Sequence, residues 1–444
     1  MSSAARLANA SDSKSTFVLR GTRRVYERPR PFTIEHIALD LRIDEAAGAV
    51  AGSAAVTIAR VNTEASELSL DAVGFDLHQV TLLSGKGSRK QRHKAHYSYD
   101  GNTIVITIPS AVTRAIVEVH YDAKPRRGMY FLHPDEEVPQ RPRQVWTQCQ
   151  DEDARHIFPC HDKPHARQTL DVTLQVPPGW FALCNGDLVN PQREQKKGLF
   201  RYRMKQPLPS YLVTMVAGEF ATMQDKLGDL PIRYYVPKGR EEDGKRTFLH
   251  TPVMIKLFAH LTGVPFPWSK YAQIVVSDFI FGGMENTGAT TMYEHILLDA
   301  QAAIDVSSDD LIAHELAHQW FGDLVTCRDW SHAWLNEGFA TFMEHVWRQH
   351  HLGQDDYDHH LQVDLNAYLN EARNRYKRPV VCQDYQAPID VFDRHLYEKG
   401  GLFLHALRCQ LGNDTFWRGV NHYLTQHAHS EVETRDLLRA MEHV

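Results

Sequence analysis

The sequence predicts an α+β multidomain protein, with a β-rich, antiparallel N-terminal domain at 16–225 and a mainly helical domain at 226–444. Three observations carry this. Apolar and polar residues alternate with a period of two through much of the first half, the pattern of half-buried strands. The second half spaces its apolar residues three and four apart, as amphipathic helices do. Between the two, residues 238–245 (KGREEDGK) form a charged, glycine-marked connector. A chain of 444 residues has room for two or three domains at roughly 150 residues each.

Taken in order, the first strand rests on Ile37, Leu39, Leu41 and Ile43, which alternate with Ala38, Asp40, Arg42 and Asp44. Gly48 and Gly52 flank the turn that follows, and Val56 and Ile58 resume the alternation. Tyr97 and Tyr99, then Asp100-Gly101, then Ile104, Ile106 and Ile108 predict a hairpin, because Asp-Gly accepts the positive φ of a tight turn. Leu170, Val172, Leu174 and Val176 form another strand, closed by Pro177-Pro178-Gly179, and 232–236 is the last strand of this half. Helices are expected at 251–261, 309–321, 337–349, 355–373, 400–411 and 434–443. One strand, 273–276, interrupts them and leads into Phe281-Gly282-Gly283.

Composition excludes several function classes. Lys+Arg 49 against Asp+Glu 55 gives a net charge of −6, which argues against nucleic-acid binding, since phosphate neutralisation needs a clustered basic surplus. The basic run 86–94 (KGSRKQRHK) reads as a solvated loop. The longest apolar stretches, such as 211–217 and 271–283, are too short and interrupted for a membrane span, so no membrane partner is expected. Residues 1–15 lack a basic start followed by an apolar block and read as a disordered leader, not a secretory signal. Six scattered cysteines without a CxxC pair predict reduced thiols in a cytoplasmic protein. The 26 histidines raise the odds of metal ligands and of coincidental His motifs alike. Those at 350, 351, 359 and 360 interleave with acids and read as a solvated connection between helices, as do His422, His427 and His429.

The chemistry begins at His314-Glu315-Leu316-Ala317-His318, an HExxH motif in a helical stretch. Four residues make just over one turn, so both imidazoles project from one face and can grip a single ion. Neutral imidazole suits zinc, and Glu315 would lie beside the open coordination position, where a water can sit. The third expected ligand is Glu337, nineteen positions after His318 at the start of the next helix. Two His and one Glu leave a fourth tetrahedral position free, the arrangement of a catalytic zinc rather than a structural one. The plainer reading of Glu337 is a solvated carboxylate favoured by the positive end of the helix dipole.

With Phe281-Gly282-Gly283-Met284-Glu285-Asn286 and Tyr397-Glu398-Lys399-Gly400, these residues resemble the gluzincin zinc aminopeptidases, the family of alanyl aminopeptidase N and leukotriene hydrolase. WFGDLVT at 320–326 and FPCHDKP at 158–164 match as well, and the resemblance runs from about residue 30 to the end of the chain. It implies a thermolysin-like catalytic domain, one Zn2+ ion held by His314, His318 and Glu337, and peptide substrates with a free N-terminus. It makes Glu315 the general base and Tyr397 the donor to the oxyanion. Glu285 would bind the substrate ammonium with Gln150 as a second anchor, and the backbone of Gly282, Gly283 and Met284 would lie beside the peptide. Gln148 would line the first side-chain pocket, or be a buried amide satisfied by backbone; Phe281 would cap that pocket, or be core. Glu294 is expected to support the site from behind, not to ligate.

The family more often has Ala where Gly283 stands, and leukotriene hydrolase-like members share the double glycine, so an epoxide hydrolase side activity stays open. Members usually continue into a further helical domain; this chain ends soon after the helix expected at 434–443, as a short two-domain or C-terminally truncated form would. A monomer is expected. Two rivals are distinguishable. An endopeptidase with the same metal site would not need Glu285, and a non-catalytic peptide-binding module would not need ligands, base and tyrosine together.

Overall fold

Strand Phe32–Asp44 shows how the first half is built: Ile37, Leu39, Leu41 and Ile43 all turn inward and are buried. Each such side chain contributes about 1.5–3 kcal/mol on burial, so the alternation itself selects which face meets the core. The computed structural model describes residues 16–85 and 91–444; the leader expected at 1–15 and the first part of the basic run, 86–90, lie outside the described residues. The rest of that run, Gln91–Lys94, is an exposed strand at the sheet edge and not a loop.

Phe32–Asp44 pairs antiparallel with Ala49–Arg60 and, on its other side, parallel with Arg167–Gln175. Otherwise the large sheet is antiparallel, running outward on one side through Leu199–Pro209 and Asp187–Leu188. On the other side it runs through Arg114–Ala123, Phe75–Ser84 and the edge strand. Gly52 does not bound the turn but lies inside Ala49–Arg60 opposite Leu41, where a Cβ would overlap the backbone carbonyl of Asp40. The hairpin at Asp100-Gly101 forms, with Gly101 at φ 90° and Tyr97–Tyr99 antiparallel to Thr103–Thr107. A smaller sheet, Phe181–Cys184, Met215–Gly218, Gln144–Thr147 and Met129–Leu132, faces the second half of the chain.

The boundary expected at 225/226 falls inside strand Ala221–Leu227, which pairs with Leu230–Val236. That strand continues into a sheet with Tyr271–Val276, Thr290–Tyr293 and Gly283–Met284. The expected connector 238–245 is largely a short helix, Glu241–Thr247, whose three acids at the start and two bases at the end suit the helix dipole. The later helices are Thr251–Thr262, Asp309–Ala317, Trp334–His351, Gln354–Asn374, Glu398–Leu411 and Thr434–Glu442. His359 and His360 therefore lie within a helix, and the connection is only Leu352-Gly353. Two further helices lie in this half, the short Ala302–Asp305 and Asn413–Gln426; the second has a buried stripe of Phe416, Trp417, Val420, Tyr423 and Leu424, which is its signal in the sequence.

Helices Trp334–His351 and Glu398–Leu411 cross at a glycine contact: a Cβ on Gly338 would meet the backbone of Gly400 at 3.0 Å. Only a residue without a side chain permits that approach. The crossing brings the N-terminal ends of both helices, and with them Glu337 and Tyr397, to one place. No helix among the described residues is long and apolar enough to cross a membrane.

Candidate metal centre and active site

The three expected ligands meet. His318 Nε2 lies 3.1 Å from His314 Nε2 and 3.1 Å from Glu337 Oε2, and His314 Nε2 lies 3.3 Å from the same oxygen. That spacing suits three donors sharing one ion at bond lengths of about 2.0–2.2 Å. His314 sits within Asp309–Ala317, His318 caps its C-terminal end, and Glu337 lies in the first turn of Trp334–His351.

The tautomers also suit a metal. His318 Nδ1–H donates to the Phe321 carbonyl at 2.9 Å, and His314 Nδ1–H donates to Glu344 Oε1 at 2.6 Å. Each bond leaves the Nε2 lone pair facing the other ligands, as metal-binding histidines require. The Phe321 carbonyl reaches His318 because the chain doubles back at Gly322, at φ 133°, where a Cβ would press on His318 Nδ1 at 3.2 Å. Burial works to raise the Glu337 pKa, but His318 and His314 outweigh it and hold the carboxyl at about 2. Against burial, the same contacts raise the His318 pKa to about 9, so without an ion a proton is held between the imidazoles and the carboxylate, and a divalent ion would take its place.

Glu315 turns into the same cleft, a cavity of about 420 Å³ lined also by Gln150, Phe281, Gly282, Gly283, Glu285 and Tyr397. Burial pushes its carboxyl up to about 8, against the pull of His314 and His318. A Cβ on Gly283 would overlap the Glu315 carboxylate, so the double glycine makes room for this side chain as well as for any backbone lying along the strand. Tyr397 precedes helix Glu398–Leu411, and its ring lies 6.0 Å from that of His314, 25° from parallel. Burial, then the carboxylates of Glu337, Glu285 and Glu315, raise its pKa above the ordinary value, so the phenol stays a donor.

Glu285 is buried at the end of strand Gly283–Met284, and Gln150 Nε2 lies 3.4 Å from its Oε1. Burial raises its pKa, so a cation beside it would be well received. Its position depends on Gln319, the residue after the second histidine. Gln319 Nε2 donates to the Glu285 carbonyl at 3.0 Å, and its Oε1 accepts from Gly288 N at 2.8 Å. Neither Gln319 nor Glu344 is among the residues the sequence motifs mark for a role; Glu344 lies seven residues after Glu337, two turns along the same helix face, and that period is its signal in the sequence.

Not every expected residue reaches the cleft. Gln148 and the Met284 side chain are buried side by side behind the wall, with Gln148 Nε2 at 3.0 Å from Met284 Sδ. Phe281 is 40% exposed at the rim and so is not core. Glu294 accepts from Asp278 N at 3.0 Å and is not among the residues lining the cleft. The β domain closes the site from one side: Trp146 Nε1 donates to Ser277 O at 3.1 Å, and Asn185 Nδ2 to Thr287 O at 3.1 Å.

A β-rich domain set against a helical domain, with HExxH completed by a distant glutamate, defines the gluzincin class of metallopeptidase folds. The chain belongs to peptidase family M1. The model of the Peptidase M1 N-terminal domain matches residues 31–212, and that of the Peptidase family M1 domain matches residues 247–444. Aminopeptidase M1 of Arabidopsis thaliana is 33% identical over 311 residues, covering 67% of this chain and 34% of that protein. Leukotriene A-4 hydrolase of Xenopus laevis is 28% identical over 431 residues, covering 93% of this chain and 68% of that protein. The chain thus spans about a third of the length of the plant relatives it matches. In structure it resembles native yeast LTA4 hydrolase, with a TM-score of 0.81 at 22% identity over 100% of this chain and 68% of that one, a likeness of fold.

Proposed function

We propose that this chain is a zinc-dependent aminopeptidase, acting as a cytoplasmic monomer to release single N-terminal residues from peptides. The observation that carries the reading is Glu285, an acid sharing one cleft with the ligand triad and Glu315. An anionic group near the reacting centre fixes where a substrate chain must begin, and so favours removal of single residues over internal cleavage.

His314, His318 and Glu337 would hold the zinc, which supplies Lewis-acid polarisation of the scissile carbonyl and acidifies a water. Glu315 takes the proton from the attacking water and passes it to the departing amine. Tyr397 donates a hydrogen bond to the oxyanion as it develops. Glu285 pairs with the substrate ammonium while the Gln150 amide oxygen accepts from it. Gly282 and Gly283 let the substrate backbone approach the strand edge. In this reading the β-rich domain ends close to residue 220, before the strand pair that begins the catalytic sheet. Six free cysteines, five of them buried, support a reducing compartment.

The test is hydrolysis of a panel of aminoacyl fluorogenic amides and of matched free and N-acetylated peptides, with and without a chelator. Free substrates are cut, acetylated ones are poor, and chelation stops turnover. Equal cleavage of free and acetylated peptides would rule out the ammonium anchor and favour an endopeptidase.

A further inference from the structure

The two helices that carry the ligand triad run antiparallel, so their far ends also meet. Asp309 opens helix Asp309–Ala317, His351 closes helix Trp334–His351, and His250 immediately precedes helix Thr251–Thr262. One ligand atom from each of the three lies within 4.8 Å of the others. His250 Nδ1 is 2.8 Å from Asp309 Oδ2, and Trp347 Nε1 donates to that same oxygen at 3.1 Å, which orients the carboxylate. The ring of His351 stacks on Trp347 with centroids 4.9 Å apart and planes 10° apart, and its centroid lies 4.6 Å from that of His250. Arg348, on the same turn as His351, pairs with Asp310 and Asp356, so its charge is taken up by carboxylates other than Asp309.

Two imidazoles and one carboxylate are the donor set of a borderline divalent ion such as zinc; calcium and magnesium would require more oxygen ligands. The Asp309–His250 pair is largely shielded, at 13% and 31% side-chain exposure, while His351 is exposed and free to close the remaining gap by a rotamer change. We propose that His250, Asp309 and His351 form a second site for a zinc-like divalent ion. An ion there ties together the start of the helix carrying the HExxH motif, the end of the helix carrying Glu337, and the helix beginning at Thr251. Bound to the folded chain alone, it stabilises the helix layer through mass action.

Zinc stoichiometry decides this, measured by equilibrium dialysis in zinc buffers followed by elemental analysis. The proteins compared are the wild type, His351→Ala, His250→Ala and His318→Ala. The wild type binds two equivalents, and the second raises the unfolding temperature. His351→Ala and His250→Ala each keep the tighter equivalent and weaken the other by more than the 10- to 100-fold (about) typical of losing an outer-shell partner. His318→Ala keeps the equivalent that depends on His351, so failure of the triad as a metal site is read separately. Because His351 is exposed, His351→Ala remains informative should His250→Ala fail to fold. A wild type that binds no second equivalent, or a second equivalent that survives both His351→Ala and His250→Ala, overturns the assignment.

Discussion

His314 Nδ1 lies 2.6 Å from Glu344 Oε1, a hydrogen bond that joins the first histidine of the metal motif to the helix supplying the third ligand. The carboxylate fixes both the tautomer and the ring plane of His314, and it raises the basicity of the nitrogen facing the metal. Glu344→Gln is therefore expected to weaken zinc retention about 10- to 100-fold with the fold intact. Competition against a chelator of known affinity measures it. Unchanged retention would mean that helix packing alone orients His314.

Glu315→Gln removes the proton acceptor and leaves the ligand triad in place. Turnover is expected to fall by a factor of about 100 to 10,000 while one zinc remains bound, read by rate and elemental analysis on the same sample. Loss of metal together with activity would assign Glu315 a structural role instead.

Tyr397→Phe deletes a donor whose bond strengthens as charge develops on the substrate oxygen. The expected loss is in kcat, about 100- to 1000-fold or roughly 3 kcal/mol, with KM little changed. A change confined to KM would place the phenol in ground-state binding.

Stability should decline with acid through two buried histidines. Burial first, then the charge of Arg28, lowers the His161 pKa to about 3; burial, then Arg30, lowers that of His165 to about 4. Unfolded, both titrate near 6.5, so below that pH the unfolded chain binds protons that the folded chain refuses. The stability is whole above about pH 6.5 and is lost as pH falls toward 4 and then 3, each group costing at most about 1.4 kcal/mol per pH unit. Calorimetry at constant ionic strength should show the unfolding temperature of His165→Gln changing less in the destabilising direction between pH 7 and pH 5 than that of the wild type. Identical slopes in the two proteins would contradict the assignment. His165 Nδ1 donates to Arg328 O at 3.1 Å, so this acid sensitivity lies between the β domain and the catalytic half.

The strands read from the sequence were legible because a half-buried strand writes its burial into a two-residue period, as at Ile37, Leu39, Leu41 and Ile43. The parallel pairing of Phe32–Asp44 with Arg167–Gln175 was not, since a pairing between segments so far apart leaves no local mark. In helix Asn413–Gln426 interspersed polar residues mask the apolar stripe until the partner helices are in view. In the cleft, the motif residues were readable one by one. Gln319, Glu344 and the retreat of Gln148 behind the wall were not, because each depends on contacts between separate elements.

By itself the sequence determined the donor types and their local spacing: two imidazoles one helical turn apart, an acid between them, and a glycine pair on a strand. Helical and strand periods act over a few residues, so this information is carried in the chain. Only the tertiary structure decided that Glu337, Tyr397 and Glu285 share one cleft. That meeting rests on the close crossing of Gly338 and Gly400 and on the Gln319 clamp, and long-range packing sets both.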